Sequence, residues 1–203
     1  MPAFLSPDKS ILFPTEKDFL EVSRYLGYKK IDTPEEKIKI LIEECCADMF
    51  NILMPKSTYD IFDLSFQSDY EIQFSDVRIK SRNLSRNLEN CTKVALMAAT
   101  IGPQVDNLIR RYEKIDTLKA AVFQSTGAMF IEKLVDFTND EISKIAESQN
   151  LKTHPRYSPG YGDVNLDVQK IFFNLLPCQK IGLSLMQTLI MAPEKSVTAF
   201  IGF

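Results

Sequence analysis

One stretch limits what this chain can fold into more than any other: the helical pattern from about Thr117 to Asn150. Its first two thirds are apolar almost all round, which predicts a central helix buried by the rest of the protein rather than one lying on its surface. The flanking segments must therefore supply layers that cover it.

The elements before it change period. Thr15 with Asp18 reads as a capping box, Phe19, Val22 and Leu26 as an apolar stripe, and Gly27 as the stop of a first helix. A second helix is expected to open at Thr33 and to carry Ile38, Leu41, Ile42, Cys45, Met49 and Leu53 as far as Pro55. Thr58 to Phe66 and Tyr70 to Phe74 read as strands, and residues 82–90 as a short polar helix. Lys93 to Ile101 is a compact apolar run read as a buried strand, and Pro103 begins a helix to about Lys114. After the long helix come a short helix, Leu166 to Leu176, and a tail from Ile181 to Phe203 read as strands joined by a turn at Ala192-Pro193. Helices and strands mix without a βαβ rhythm. This predicts an α+β fold, one domain over residues 1–203, with an antiparallel sheet flanked by helices.

Composition excludes several classes. A net charge of −3 argues against a nucleic-acid partner. The densest basic stretch is Arg78, Lys80, Arg82 and Arg86, which reads as a solvated face. With a single histidine, His154, a protein-built zinc site or a Ser-His-Asp engine is a poor fit. Cys45, Cys46, Cys91 and Cys178 form no C-x-x-C pattern and read as reduced core thiols. No long apolar run and no basic signal peptide is visible, so no membrane association and a cytoplasmic location are expected.

The chemistry concentrates in RYSPGYGD, Arg156 to Asp163. Ser158-Pro159-Gly160-Tyr161 has the type II turn signature, Pro second and Gly third. The turn would bring Arg156 and Tyr161 to either side of one small volume. Arg offers a fork for a carboxylate, and Tyr an aromatic face with a hydroxyl tip. The alternative is a plain turn with a surface Arg and packed tyrosines. Glu132 is the second candidate. At 100° per residue it shares a stripe with Ala121, Ser125 and Ala128, opposite Phe123, Phe130, Leu134 and Phe137. Either this row leaves room for a ligand amino group or for Arg156, or it faces water in the company of Asp136. His154 reads as a surface residue, and Asp163 as the cap of the helix that follows it. No glycine-rich phosphate loop or dinucleotide fingerprint occurs.

RYSPGYGD, a short helix, and then IGLSLMQTLIMAPEKSVTAFIGF resemble the activation (reactivation) domain of cobalamin-dependent methionine synthase. That family shows Arg-x-x-Pro-Gly-Tyr, a helix, and a strand pair with Met-x-Pro-x-x-Ser-Val at its turn; here Met191, Pro193, Ser196 and Val197 match. Arg24-Tyr25-Leu26-Gly27-Tyr28 is similar to the start of its stand-alone members. The resemblance implies a C-shaped domain with S-adenosylmethionine along an inner groove. Arg156 would hold the methionyl carboxylate, Ser158, Pro159 and Gly160 would present backbone at the turn, Tyr161 would lie against the ligand, and Glu132 would be the helix glutamate at the site. It also implies an accessory role. The domain supports reductive remethylation of cob(II)alamin carried by a separate methionine synthase or related corrinoid protein, with the electron supplied by a reduced flavoprotein. The family's covering tyrosine, C-terminal to the Met-x-Pro strands, has no counterpart here. A more open site is therefore expected, as is an alternative role: a corrinoid-protein docking module that does not itself bind S-adenosylmethionine.

Overall fold

The computed structural model describes residues 1–29 and 34–203. The expected opening of the second helix at Thr33 lies outside the described residues. In chain order the strands are β1 Ala3–Leu5, β2 Lys56–Ser68, β3 Glu71–Phe74, β4 Val77–Lys80, β5 Lys93–Thr100, β6 Ser184–Leu185, β7 Met191–Ala192 and β8 Ser196–Gly202. The helices are α1 Glu16–Tyr25, α2 Glu36–Ile52, α3 Arg82–Asn87, α4 Pro103–Tyr112, α5 Thr117–Ser148 and α6 Gln169–Leu175. The architecture is α+β, with a curled antiparallel sheet and α5 as the long central helix.

The sheet runs β4-β3-β2-β5-β8, with β1 added to the start of β2. β2 serves two partners in succession. Lys56 to Asp63 pair with β5, and Leu64 to Ser68 pair with β3, with a register shift between Phe66 and Ser68. β5 is apolar without alternation because both of its faces are covered, a pattern more usual in parallel sheets. Ala95, Met97 and Ala99 enter one core with α1, α2, α4 and α5, while Val94, Leu96 and Ala98 enter a second core with α3 and α6. β8 divides the same way, Ala199 and Ile201 to the first core and Phe200 to the second.

The α1 capping box forms as the sequence predicts: Asp18 accepts from the Thr15 backbone at 2.7 Å. All four cysteines are free and buried. Burial pushes the thiols of Cys45, Cys46 and Cys178 up to about 12. Two short strands, β1 and β4, lie where no strand is expected from the sequence. The tail also departs in detail: strands do flank Ala192-Pro193, a cis peptide, but they do not pair with each other. β7 pairs with β6 in a small hairpin, whereas β8 pairs with β5. The reason is burial. β8 is apolar on both faces and is satisfied only beside β5, between the two cores. Among the described residues no helix is long and apolar enough to cross a membrane.

Candidate functional site

The segment before RYSPGYGD runs back along β8. His154 N–H donates to the Gly202 carbonyl at 2.8 Å, and Tyr157 and Phe200 exchange both backbone bonds, at 3.0 and 2.8 Å. The turn starts from this fixed edge. Gly160 has φ +91°, the left-handed value that the third position of a type II turn demands, and Pro159 before it is buried. Tyr161 N–H reaches the Ser158 carbonyl at 3.4 Å, and Gly160 N–H donates to Val164 at 2.8 Å. The Tyr157 hydroxyl closes the loop from inside, donating to the Tyr161 carbonyl at 3.0 Å.

Asp163 corrects one expectation. It caps not the helix that follows but the earlier α3. Its carboxylate accepts from the Ser81 hydroxyl and from the Arg82 and Asn83 amides, the former at 2.8 Å and the latter at 3.2 Å. The physical reason is that the following helix begins with a 3-10 turn at Leu166–Val168, too far along to meet Asp163, while the loop folds over the start of α3. These donors, Ser81 first, hold the Asp163 carboxyl below the usual carboxylate range. Burial, with the charge of Asp163 adding to it, raises the Tyr157 phenol. His154 is half-buried rather than on the surface: its Nδ1 lies 2.7 Å from the Asn87 carbonyl, which can only accept, so Nδ1 carries a proton.

Across from the loop, α5 presents Glu132 and, one turn on, Asp136. Arg156 reaches both. Its Nη1 donates to Asp136 Oδ1 at 2.7 Å and its Nη2 to Glu132 Oε2 at 3.3 Å. The Arg156 side chain is 28% exposed, against 47% for Glu132 and 66% for Asp136. The small-residue stripe thus runs at the water line: Ser125 is buried, Ala128 and Glu132 are half-buried, and Ala121 is exposed.

Between α5, the loop and β8 lies a groove of about 370 Å³, lined by Glu132, Val135, Arg156, Tyr157, Ser158, Tyr161 and Val197. Of the six residues singled out from the sequence, Glu132, Arg156, Ser158 and Tyr161 meet here. Pro159 and Gly160 do not line the groove; they shape the turn that delivers Ser158 and Tyr161 to it. The arrangement can hold a small ligand carrying both charges, with a cationic fork, one acid and two tyrosines in its lining.

The chain is similar to the MetH reactivation domain bound to AdoHcy. That crystal structure matches with a TM-score of 0.75 over 100% of this chain and 78% of its own, at 13% sequence identity. The likeness at this identity is one of fold. No protein-family model and no curated protein sequence matches the chain. The groove beside Arg156 therefore sits in a fold similar to that of the MetH reactivation domain.

Three lining residues escape sequence reasoning. Tyr157 and Val197 come from segments joined only by the pairing of the loop with β8. Val135 is masked by the apolar surroundings of α5. Asp136, the shorter partner of Arg156, carries a visible signal: it sits four residues after Glu132, on the same helical row.

Proposed function

We propose that this protein binds S-adenosylmethionine in the groove beside Arg156 and supports reductive remethylation of cob(II)alamin on a separate cobalamin-dependent methionine synthase. The observation that carries the reading is the fold shared with a reactivation domain bound to AdoHcy, together with the groove that RYSPGYGD builds against Glu132. The groove lies within the roughly 300–1,000 Å³ of small-molecule sites. Its chemistry fits the amino-acid end of the ligand: a guanidinium for the carboxylate, and Glu132 for the ammonium group. The exposed Tyr161 ring is available to lie against the rest of the molecule.

S-adenosylmethionine would supply an electrophilic methyl group to the partner's reduced cobalamin and leave as AdoHcy. This chain's own residues would bind, orient and present it. The electron comes from a reduced flavoprotein, and the chain is an accessory component rather than a complete enzyme.

A thermal-shift titration tests this directly. S-adenosylmethionine and AdoHcy should raise the melting temperature, and Arg156→Ala should abolish the rise. No shift, with or without a cobalamin-loaded methionine synthase, would sink the reading. One observation favours a second reading, a corrinoid-protein docking module without ligand: Arg156 already has two carboxylate partners, with which a ligand carboxylate must compete. Co-purification with the cobalamin protein and no ligand shift would select it.

A further inference from the structure

A second and larger groove shares no lining residue with the one beside Arg156. It measures about 830 Å³ and sits between the β2–β3 connection, one face of α3 and the turn that leads to β5. Arg82, Ser85, Arg86 and Glu89 line it at helical spacing, together with Phe66, Asp69 and Tyr70.

Its chemistry is mixed in an organised way. Phe66 and Tyr70 are 41% and 44% exposed, large rings left open to solvent. The Arg82 guanidinium stands over the Tyr70 ring, 4.7 Å from its centroid, so the two form a cation–π pair in the groove lining. Arg86 is exposed, and among the described residues no ion pair holds it. The basic stretch singled out in the sequence is thus divided. Arg78 is engaged with Gln73 at 3.0 Å, while Arg82 and Arg86 converge here. Ser85 also lines the groove, with its hydroxyl buried beneath the surface.

We propose that this groove binds a mononucleotide. The base stacks on the Arg82–Tyr70 pair and Phe66. The phosphate is held by Arg86 and Arg82. Asp69 and Glu89 accept from the ribose hydroxyls or the base amines. The two acids decide against a polyphosphate, whose charge they would repel, and the two open rings decide against free phosphate.

The test is a calorimetric or NMR titration of the full chain with AMP, adenosine and inorganic phosphate separately. AMP should saturate, and bind more tightly than either part. Arg86→Ala should weaken AMP by roughly tenfold or more, as loss of a charge-assisted contact does, and leave adenosine unchanged. Arg156→Ala should not alter AMP binding, which separates this groove from the one proposed for S-adenosylmethionine. Absence of saturable AMP binding at millimolar concentration would overturn the proposal. So would AMP binding that survives Arg86→Ala but fails in Arg156→Ala, or phosphate binding as tightly as AMP.

Discussion

Asp136→Asn separates a ligand grip from a structural ion pair at Arg156. Asp136 is the nearer of the two acids, at 2.7 Å, but two thirds of its side chain is in water. An exposed pair of this kind stabilises a protein by about 0–1 kcal/mol, so the variant should melt within a few degrees of the parent. Binding should respond differently. A carboxylate docked on the same guanidinium would lie roughly 5 Å from Asp136, and two like charges at that distance in water repel by about 0.8 kcal/mol. Removing the charge therefore should tighten S-adenosylmethionine by roughly fourfold, while an asparagine amide can still accept from Arg156. Glu132→Gln should act oppositely and weaken binding, because Glu132 is assigned to the ligand ammonium. Isothermal titration at low ionic strength measures both, and the Asp136→Asn gain should shrink in high salt as screening grows. If Asp136→Asn weakens binding, or changes nothing at low salt, Arg156 does not receive a ligand carboxylate and the assignment fails.

Other outcomes follow from the same geometry. Asp163 has its carboxyl held below the ordinary range in the folded state, so its contribution is complete above the unfolded value and is lost as pH falls through the folded one. Asp163→Asn should therefore lower the melting temperature at pH 7, and the gap from the parent should close as a thermal series descends below the carboxylate range; a gap independent of pH would refute the role. Gly162→Ala should destabilise by at least about 1–2 kcal/mol for the left-handed backbone alone, or about 2–8 °C in melting temperature. Its φ is +56°, and a Cβ would also collide with the Asn83 amide and the Tyr157 hydroxyl, so a parent-like melting curve would contradict the loop geometry. The buried thiols, raised to about 11 for Cys91 and about 12 for the other three, should resist a thiol-labelling reagent at pH 8 until denaturant is added. Prompt labelling of any of them in the native protein would show that its element opens.

The sequence alone determined the elements with strong local grammar. α5 is legible because a long apolar helix has no other use, α1 because Thr15 and Asp18 cap it, and the turn because Pro159 and Gly160 admit few backbone conformations. Those same local rules located Arg156 and Glu132 as chemistry-bearing residues. What they could not decide depended on partners distant in the chain. β1 and β4 are too short to carry a period, and exist because β2 and β3 offer open edges. β8 chose β5 over β7 because only there are both of its apolar faces buried. Asp163 went to α3 rather than to the next helix because the loop, fixed to β8 through Tyr157 and Phe200, lies over the α3 start. The Arg156 groove has the same origin. Its residues come from three segments, and the antiparallel pairing of the loop with β8 sets how far Arg156 stands from Glu132 and Asp136. Side-chain chemistry was therefore local information, whereas the distance between one charge and the next was decided by tertiary packing.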